Sequence, residues 1–166
     1  MVTRIDLTLD CADAQLLRAF WKTALGYVDN PPPAPFRTTG EWFASLGLPE
    51  GESVEDGAWL CDPAGAGPRL SLLKVPEPKT AKNRLHIDVR IPGHGSAAER
   101  NARLAAEVVR LKEAGGSVLA EVEGRHVVMA DPNTPDYQFW RTESSTEPGN
   151  PVRHRSRTGF LAVEPA

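Results

Sequence analysis

The chain has 166 residues, a formal net charge of −3 and 25% charged residues, with a pI near 5.8; the length suits one domain. Acids and bases are interspersed, and the one basic cluster, VRHRSR at 152–157, lies in a polar tail, which excludes the basic footprint of a nucleic-acid binder. No run reaches the ~18 apolar residues of a membrane span, the N-terminus lacks a signal-like apolar core, and the two cysteines, Cys11 and Cys61, form no metal or redox motif. The expectation is a soluble, cytoplasmic protein with free thiols, whose partner is a small molecule rather than a nucleic acid or a membrane.

Residues 4–9, RIDLTL, alternate apolar Ile5, Leu7 and Leu9 with polar Asp6 and Thr8, the pattern of a half-buried strand. Asp13 then stands as an N-cap before AQLLRAFWKTALG, where Leu17, Phe20, Trp21 and Leu25 fall at helical spacing and Gly26 ends the helix. NPPPAP (30–35) reads as a stiff surface loop, and EWFASLGL (41–48) as a second strand. WLCDP (59–63) is a short strand stopped by Asp-Pro, and LSLLKV (70–75) is another.

The order then repeats. VPEPKTAKN (75–83) is a link, and RLHIDVRI (84–91) alternates Leu85, Ile87 and Val89 with His86, Asp88 and Arg90. PGHG breaks that strand, and Ser96 caps a longer helix whose stripe is Leu104, Val108 and Leu111, ending at Gly115–Gly116. SVLAEVEG (117–124), VMADP (128–132) and YQFWR (137–141) supply three more strands, with VMADP the counterpart of WLCDP. Sliding IDLTL onto LHIDV pairs Asp6 with His86. This is an internal duplication: an α+β fold of two paired βαβββ modules. Module one spans 3–75, a linker 76–82, and module two 83–141. Together they make a single domain over 1–141, followed by a polar C-terminal tail at 142–166.

Parity assigns the polar residues. If Leu85, Ile87 and Val89 pack under the helix, then His86, Asp88 and Arg90 face the other way. Asp6 and Asp10 do the same in the first strand. Two such faces curling together enclose a cup. The expected ligand-binding set is Asp6, Asp10, His86, Asp88, Arg90, Gln138 and Trp140, and an aromatic wall with a few polar groups suits a partly apolar ligand. Trp21 reads as core; Trp42 and Trp59 are open to either face. His126 and His154 read as surface or satisfied residues, and His94 as a solvated turn residue.

Three stretches, IDLTLDCADAQLLRAFWKTALGY, KNRLHIDVRI and VVMADPNTPDYQF, resemble the glyoxalase/bleomycin-resistance/dioxygenase superfamily, the vicinal oxygen chelate proteins, and within it the glyoxalase-like domains. The resemblance covers about residues 3–141. It implies an open, curved β-barrel cup around a small-molecule site and, in metal-dependent members, a divalent ion held by two side chains from each module. That ion acts as a Lewis acid on vicinal oxygens; other members bind ligands without a metal. Carried onto this sequence, the resemblance places His86 and Asp6 at the first-strand positions and Gln138, seven residues after Asp131, at the last. The fourth position falls on Arg69, Ser71 or Leu73, none of them a ligand for a divalent ion. The sequence therefore favours a glyoxalase-like domain that binds a small molecule without a complete metal site or other cofactor, in a sequestration or resistance role. The alternative is a metal-dependent lyase, isomerase or dioxygenase with Asp6, His86 and Gln138 as ligands and Asp10 or Asp88 as base. A third reading is metal-free acid–base catalysis by His86 and Asp88. The resemblance also implies a homodimer.

Overall fold

The computed structural model describes residues 3–47, 53–80, 86–122, 126–133 and 137–142, the last segment by its backbone pairing. The tail beyond Thr142, including the basic cluster and His154, lies outside the described residues, as does Leu85.

β1 (Asp6–Cys11) shows the alternation its sequence demands: Asp6, Thr8 and Asp10 are exposed, Leu7 and Leu9 half-buried and Cys11 buried. α1 (Ala14–Leu25) starts where the Asp13 carboxylate accepts the backbone N–H groups of Gln15 and Leu16 at 3.0 and 2.9 Å, an N-cap worth about 1 kcal/mol. It stops at Gly26, whose φ of 68° is left-handed backbone that glycine adopts without a Cβ penalty. Its buried face is Ala14, Leu17, Phe20, Trp21 and Ala24, the stripe expected from the spacing. β2 (Val28–Asp29) follows directly.

The expected strand at 41–48 is instead a helix, α2 (Thr39–Leu46). The reason is local. The Thr38 hydroxyl accepts the N–H of Glu41, and the Glu41 carboxylate accepts the N–H of Thr38, a reciprocal capping box. Gly47, at φ 63°, then closes the helix. The second strand of the first half is therefore Val28–Asp29. β3 (Gly57–Cys61) and β4 (Arg69–Lys74) follow.

The second half contains β5 (Asp88–Ile91), α3 (Ala97–Glu113), β6 (Ser117–Val122), β7 (His126–Ala130) and β8 (Tyr137–Thr142). α3 opens on a Ser96–Glu99 capping box and carries Arg110 and Lys112 in its last turn, where cations favour the helix dipole.

The strands form two open, mixed, four-stranded sheets, ordered β1-β4-β3-β2 and β5-β8-β7-β6. In each, the first and last strands of that half pair in parallel and the other neighbours are antiparallel. One apolar core joins α1 and α3 to both sheets: Leu17, Phe20 and Trp21 of α1 cluster with Leu60, Leu70 and Leu72 of the first sheet, and with Leu111, Val127 and Met129 of the second half. Phe20 and Trp21 meet edge to face at 5.5 Å. An Arg110 guanidinium N–H donates to the Thr23 carbonyl, tying α3 to α1. Among the described residues no helix is long and apolar enough to cross a membrane.

Candidate functional site

Backbone partners in a sheet project to the same side, so the register defines what the polar residues of β1 meet. Asp6 pairs with Arg69, Thr8 with Ser71 and Asp10 with Leu73; on the next strand Ser71 pairs with Trp59 and Leu73 with Gly57. The alternate positions, Leu70, Leu72 and Leu60, belong to the core under α1. The first sheet thus has one helix-covered apolar face and one face carrying Asp6, Arg69, Ser71 and Trp59.

That second face is roofed by the connection between β2 and β3. α2 lies against it through Phe43, whose ring is 4.8 Å from that of Trp59, while Trp42 meets Phe43 edge to face at 5.1 Å. Trp59 lies back over Gly57: a Cβ there would come within 2.4 Å of the indole, so the missing side chain is what lets the ring lie flat. Between sheet and roof is a cavity of about 160 Å³, lined among others by Asp6, Asn30, Trp42, Trp59, Arg69 and Ser71. Neither the Asp6 nor the Arg69 side chain makes a hydrogen bond or ion pair with the described residues.

Of the set expected from sequence, Asp6 lines this cavity, and Asp10, His86, Asp88 and Arg90 do not. In the second half Asp88 and Arg90 are exposed on β5, with Val89 and Ile91 packed against the core, which is the expected parity. His86 precedes that strand and is half-buried. Sequence parity put positions 138 and 140 beside them. The pairing instead aligns Phe139 with Asp88 and Arg141 with Arg90, and sets Gln138 and Trp140 opposite Met129 and Val127 of β7, both core residues. Gln138 and Trp140 are thus not in register with Asp88 and Arg90. Of the residues on which the fourth ligand position was expected to fall, Arg69 is the partner of Asp6.

The two Asp-Pro turns differ. Asp62 accepts the backbone N–H groups of Ala64, Ala66 and Gly67 at 2.8, 2.9 and 2.8 Å, and these bonds, that of Ala64 foremost, hold its carboxyl below the usual range. Asp131 is buried, at 6% exposure, and accepts the Asn133 N–H, while the Asn133 side-chain oxygen accepts the N–H of Ala12 at the end of β1. Both cysteines are free. Burial, reinforced by Asp13, pushes the Cys11 thiol up to about 11, which makes it a poor nucleophile at neutral pH.

The sequence of the chain over residues 6–139 matches the model of the glyoxalase-like domain. The protein belongs to that family. The glyoxalase-like fold is shared with solved structures at low identity. A fosfomycin resistance protein, FosX, from Mesorhizobium loti is 10% identical, with 87% of this chain and 94% of that one covered at a TM-score of 0.57. A mutant of FosX from Listeria monocytogenes, complexed with Mn(II) and a dihydroxypropylphosphonic acid, is 12% identical, with 87% and 95% covered and a TM-score of 0.54. A glyoxalase/bleomycin resistance protein/dioxygenase family enzyme from Burkholderia phytofirmans is 10% identical, with 83% and 98% covered and a TM-score of 0.53. A search of curated proteins finds no match.

The manganese in one of those structures raises the question of fit. Among the described residues of this glyoxalase-like domain, no three His, Cys, Asp or Glu side chains gather closely enough to hold a metal ion. On the first sheet the backbone partner of Asp6 is Arg69, and both line the cavity. A fixed positive charge in the same lining as Asp6, the one carboxylate there among the described residues, opposes a divalent ion, so this donor set does not fit one.

Proposed function

We propose that this glyoxalase-like domain binds a small organic molecule in a cup between two βαβββ halves, without a complete metal site. The observation that carries the reading is the cavity under α2, where Trp42 and Trp59 provide apolar surface and Asp6, Arg69 and Ser71 provide polar groups. That composition, mostly apolar with a few placed polar side chains, is what small-ligand sites have. The repeated strand order of the two sheets supports an internal duplication with Asp6 and His86 as counterparts. The cavity is lined by residues of the first half; on this reading the cup extends from it to the β5 surface bearing Asp88 and Arg90, with His86 at its start. Binding alone, as in sequestration, needs nothing more.

Titration of the purified protein with a library of one-ring compounds, followed by tryptophan emission, tests the reading. Hits should lose at least fivefold in affinity in Trp42→Ala, an aromatic contact being worth about 1 kcal/mol or more. Hits unaffected by both Trp42→Ala and His86→Ala would place the site elsewhere. Elemental analysis showing about one transition metal per chain, lost in His86→Ala, would move the reading to a metal-dependent enzyme.

A further inference from the structure

The charge pattern of the cavity under α2 narrows the ligand class; this step rests on the binding proposed above. At about 160 Å³ the cavity is well below the roughly 300–1,000 Å³ of drug-sized sites, so it takes a compound of one ring, not a multi-ring molecule. Trp42 and Trp59 are the aromatic side chains of its lining among the described residues. The one cation lining it is Arg69, on the exposed side of β4 and without an ion pair among the described residues. A guanidinium presents a flat fork of donors that a carboxylate meets with two parallel bonds. Asn30, Thr39 and Ser71 are neutral, and among the described residues Asp6 is the sole anion of the lining.

We infer that the pocket selects a small aromatic carboxylic acid, its ring against Trp59 and Trp42 and its carboxylate on the Arg69 guanidinium. Asp6 works against an anion. It is an exposed carboxylate, however, and one solvent-screened repulsion is weaker than a two-pronged charge-assisted pair. Its presence makes a sharp prediction of sign: removing the Asp6 charge strengthens binding of the acid, and removing the Arg69 charge weakens it.

The experiment titrates the full chain with benzoate and with benzyl alcohol, which has the same ring and no charge, reading tryptophan emission. Benzoate should bind about tenfold more tightly than benzyl alcohol, the scale of a hydrogen-bonded charge. Arg69→Gln should bring benzoate down to the affinity of benzyl alcohol; Asp6→Asn should tighten benzoate about threefold, the scale of an exposed charge interaction. Circular dichroism checks that both exposed-site variants fold; if Arg69→Gln does not, Arg69→Lys replaces it, keeping the charge but losing the fork, and should cost benzoate part of its advantage. Equal affinity for the two probes, or a benzoate affinity untouched in the Arg69 variant, overturns the acid preference while leaving the pocket in place. Failure of both probes to bind the unaltered protein, while other one-ring compounds do bind, also overturns this inference alone; failure of every compound overturns the binding reading with it.

Discussion

The two sheets have the same strand order, yet they treat their open faces differently. In the first half, β2 and β3 are joined by residues 30–56, which include α2. In the second, β6 and β7 are joined by residues 123–125 alone, too few for a helix turn with caps at both ends. The edge strands differ in the opposite sense: β2 is two residues, β6 six. Each half therefore spends its chain on a different element, one on a roof and the other on a longer edge. The cavity is on the roofed side. Two sheets of the same strand order thus differ in a single connection, which places the cavity in one half and leaves the shared core unaltered.

What the halves share should be the most costly to break. Phe20 is fully buried, and its ring edge lies 2.9 Å from where a Cβ on Gly116 of the second half would stand. Phe20→Ala should lower stability by about 3–5 kcal/mol, read by urea denaturation, with faster amide exchange in both sheets. Exchange changes confined to the first sheet would show that the halves do not share a core.

Next in size is a change that separates them. A methyl at position 57 would sit 2.4 Å from the Trp59 ring, and since Gly57 has a β-region φ of −133°, the obstacle is space and not backbone. Gly57→Ala should cost about 1–3 kcal/mol as overpacking, shift tryptophan emission and weaken ligand binding, with β6 and β7 unaffected. An emission spectrum identical to that of the parent would mean that Trp59 does not depend on the glycine.

Much of the shared scaffold was legible. Period-two alternation in 4–9 and 86–91 gave the face of each first strand, and Asp13, Gly26 and Ser96 bounded the helices, because caps and parity are local physics. The roof was misread. EWFASLGL has the apolar content of a strand, and the Thr38…Glu41 capping box that makes it a helix starts three residues earlier. That spacing was in the sequence and would have identified the helix. The cavity followed it out of view, since Trp42 joins Trp59 and Arg69 in one lining only when this segment is a helix. The register of β8 was not legible in the same way. No alternation in YQFWR decides it.

The capping boxes sharpen the comparison at a lower cost. Thr38→Ala and Ser96→Ala remove the same bond from two helices, each worth about 1 kcal/mol. α3 packs its buried Leu104 and Leu111 into the shared core, whereas α2 has no fully buried residue. The Ser96 change should therefore lower the global denaturation midpoint. The Thr38 change should instead raise amide exchange over 39–46 and weaken ligand binding, with little change in the midpoint. Equal midpoint shifts would mean that α2 is as much part of the cooperative unit as α3.

The smallest effect concerns the short edge strand. β2 has only two residues to hold it in the sheet, and Asp29 adds a clamp to α1, accepting Arg18 Nη2 at 2.6 Å and Lys22 Nζ at 2.7 Å. Those partners, Arg18 foremost, pull the Asp29 carboxyl from 3.8 to about 2. A carboxyl with a lowered folded value stabilises the fold only while ionised. Its contribution is whole above the unfolded value near 3.8 and fades as the pH falls towards about 2. The carboxylate is 47% exposed, so the contribution belongs with solvent-screened pairs, about 0.2–1 kcal/mol. The stability difference between the parent and Asp29→Asn, taken from urea melts, should be flat from pH 7 to pH 5 and shrink between pH 4 and pH 3. It should also be reduced throughout when Arg18→Gln is already present, because the two residues share one interaction. A difference that grows as the solution is acidified would mean that the ionised carboxylate opposes folding, and the clamp would have the wrong sign.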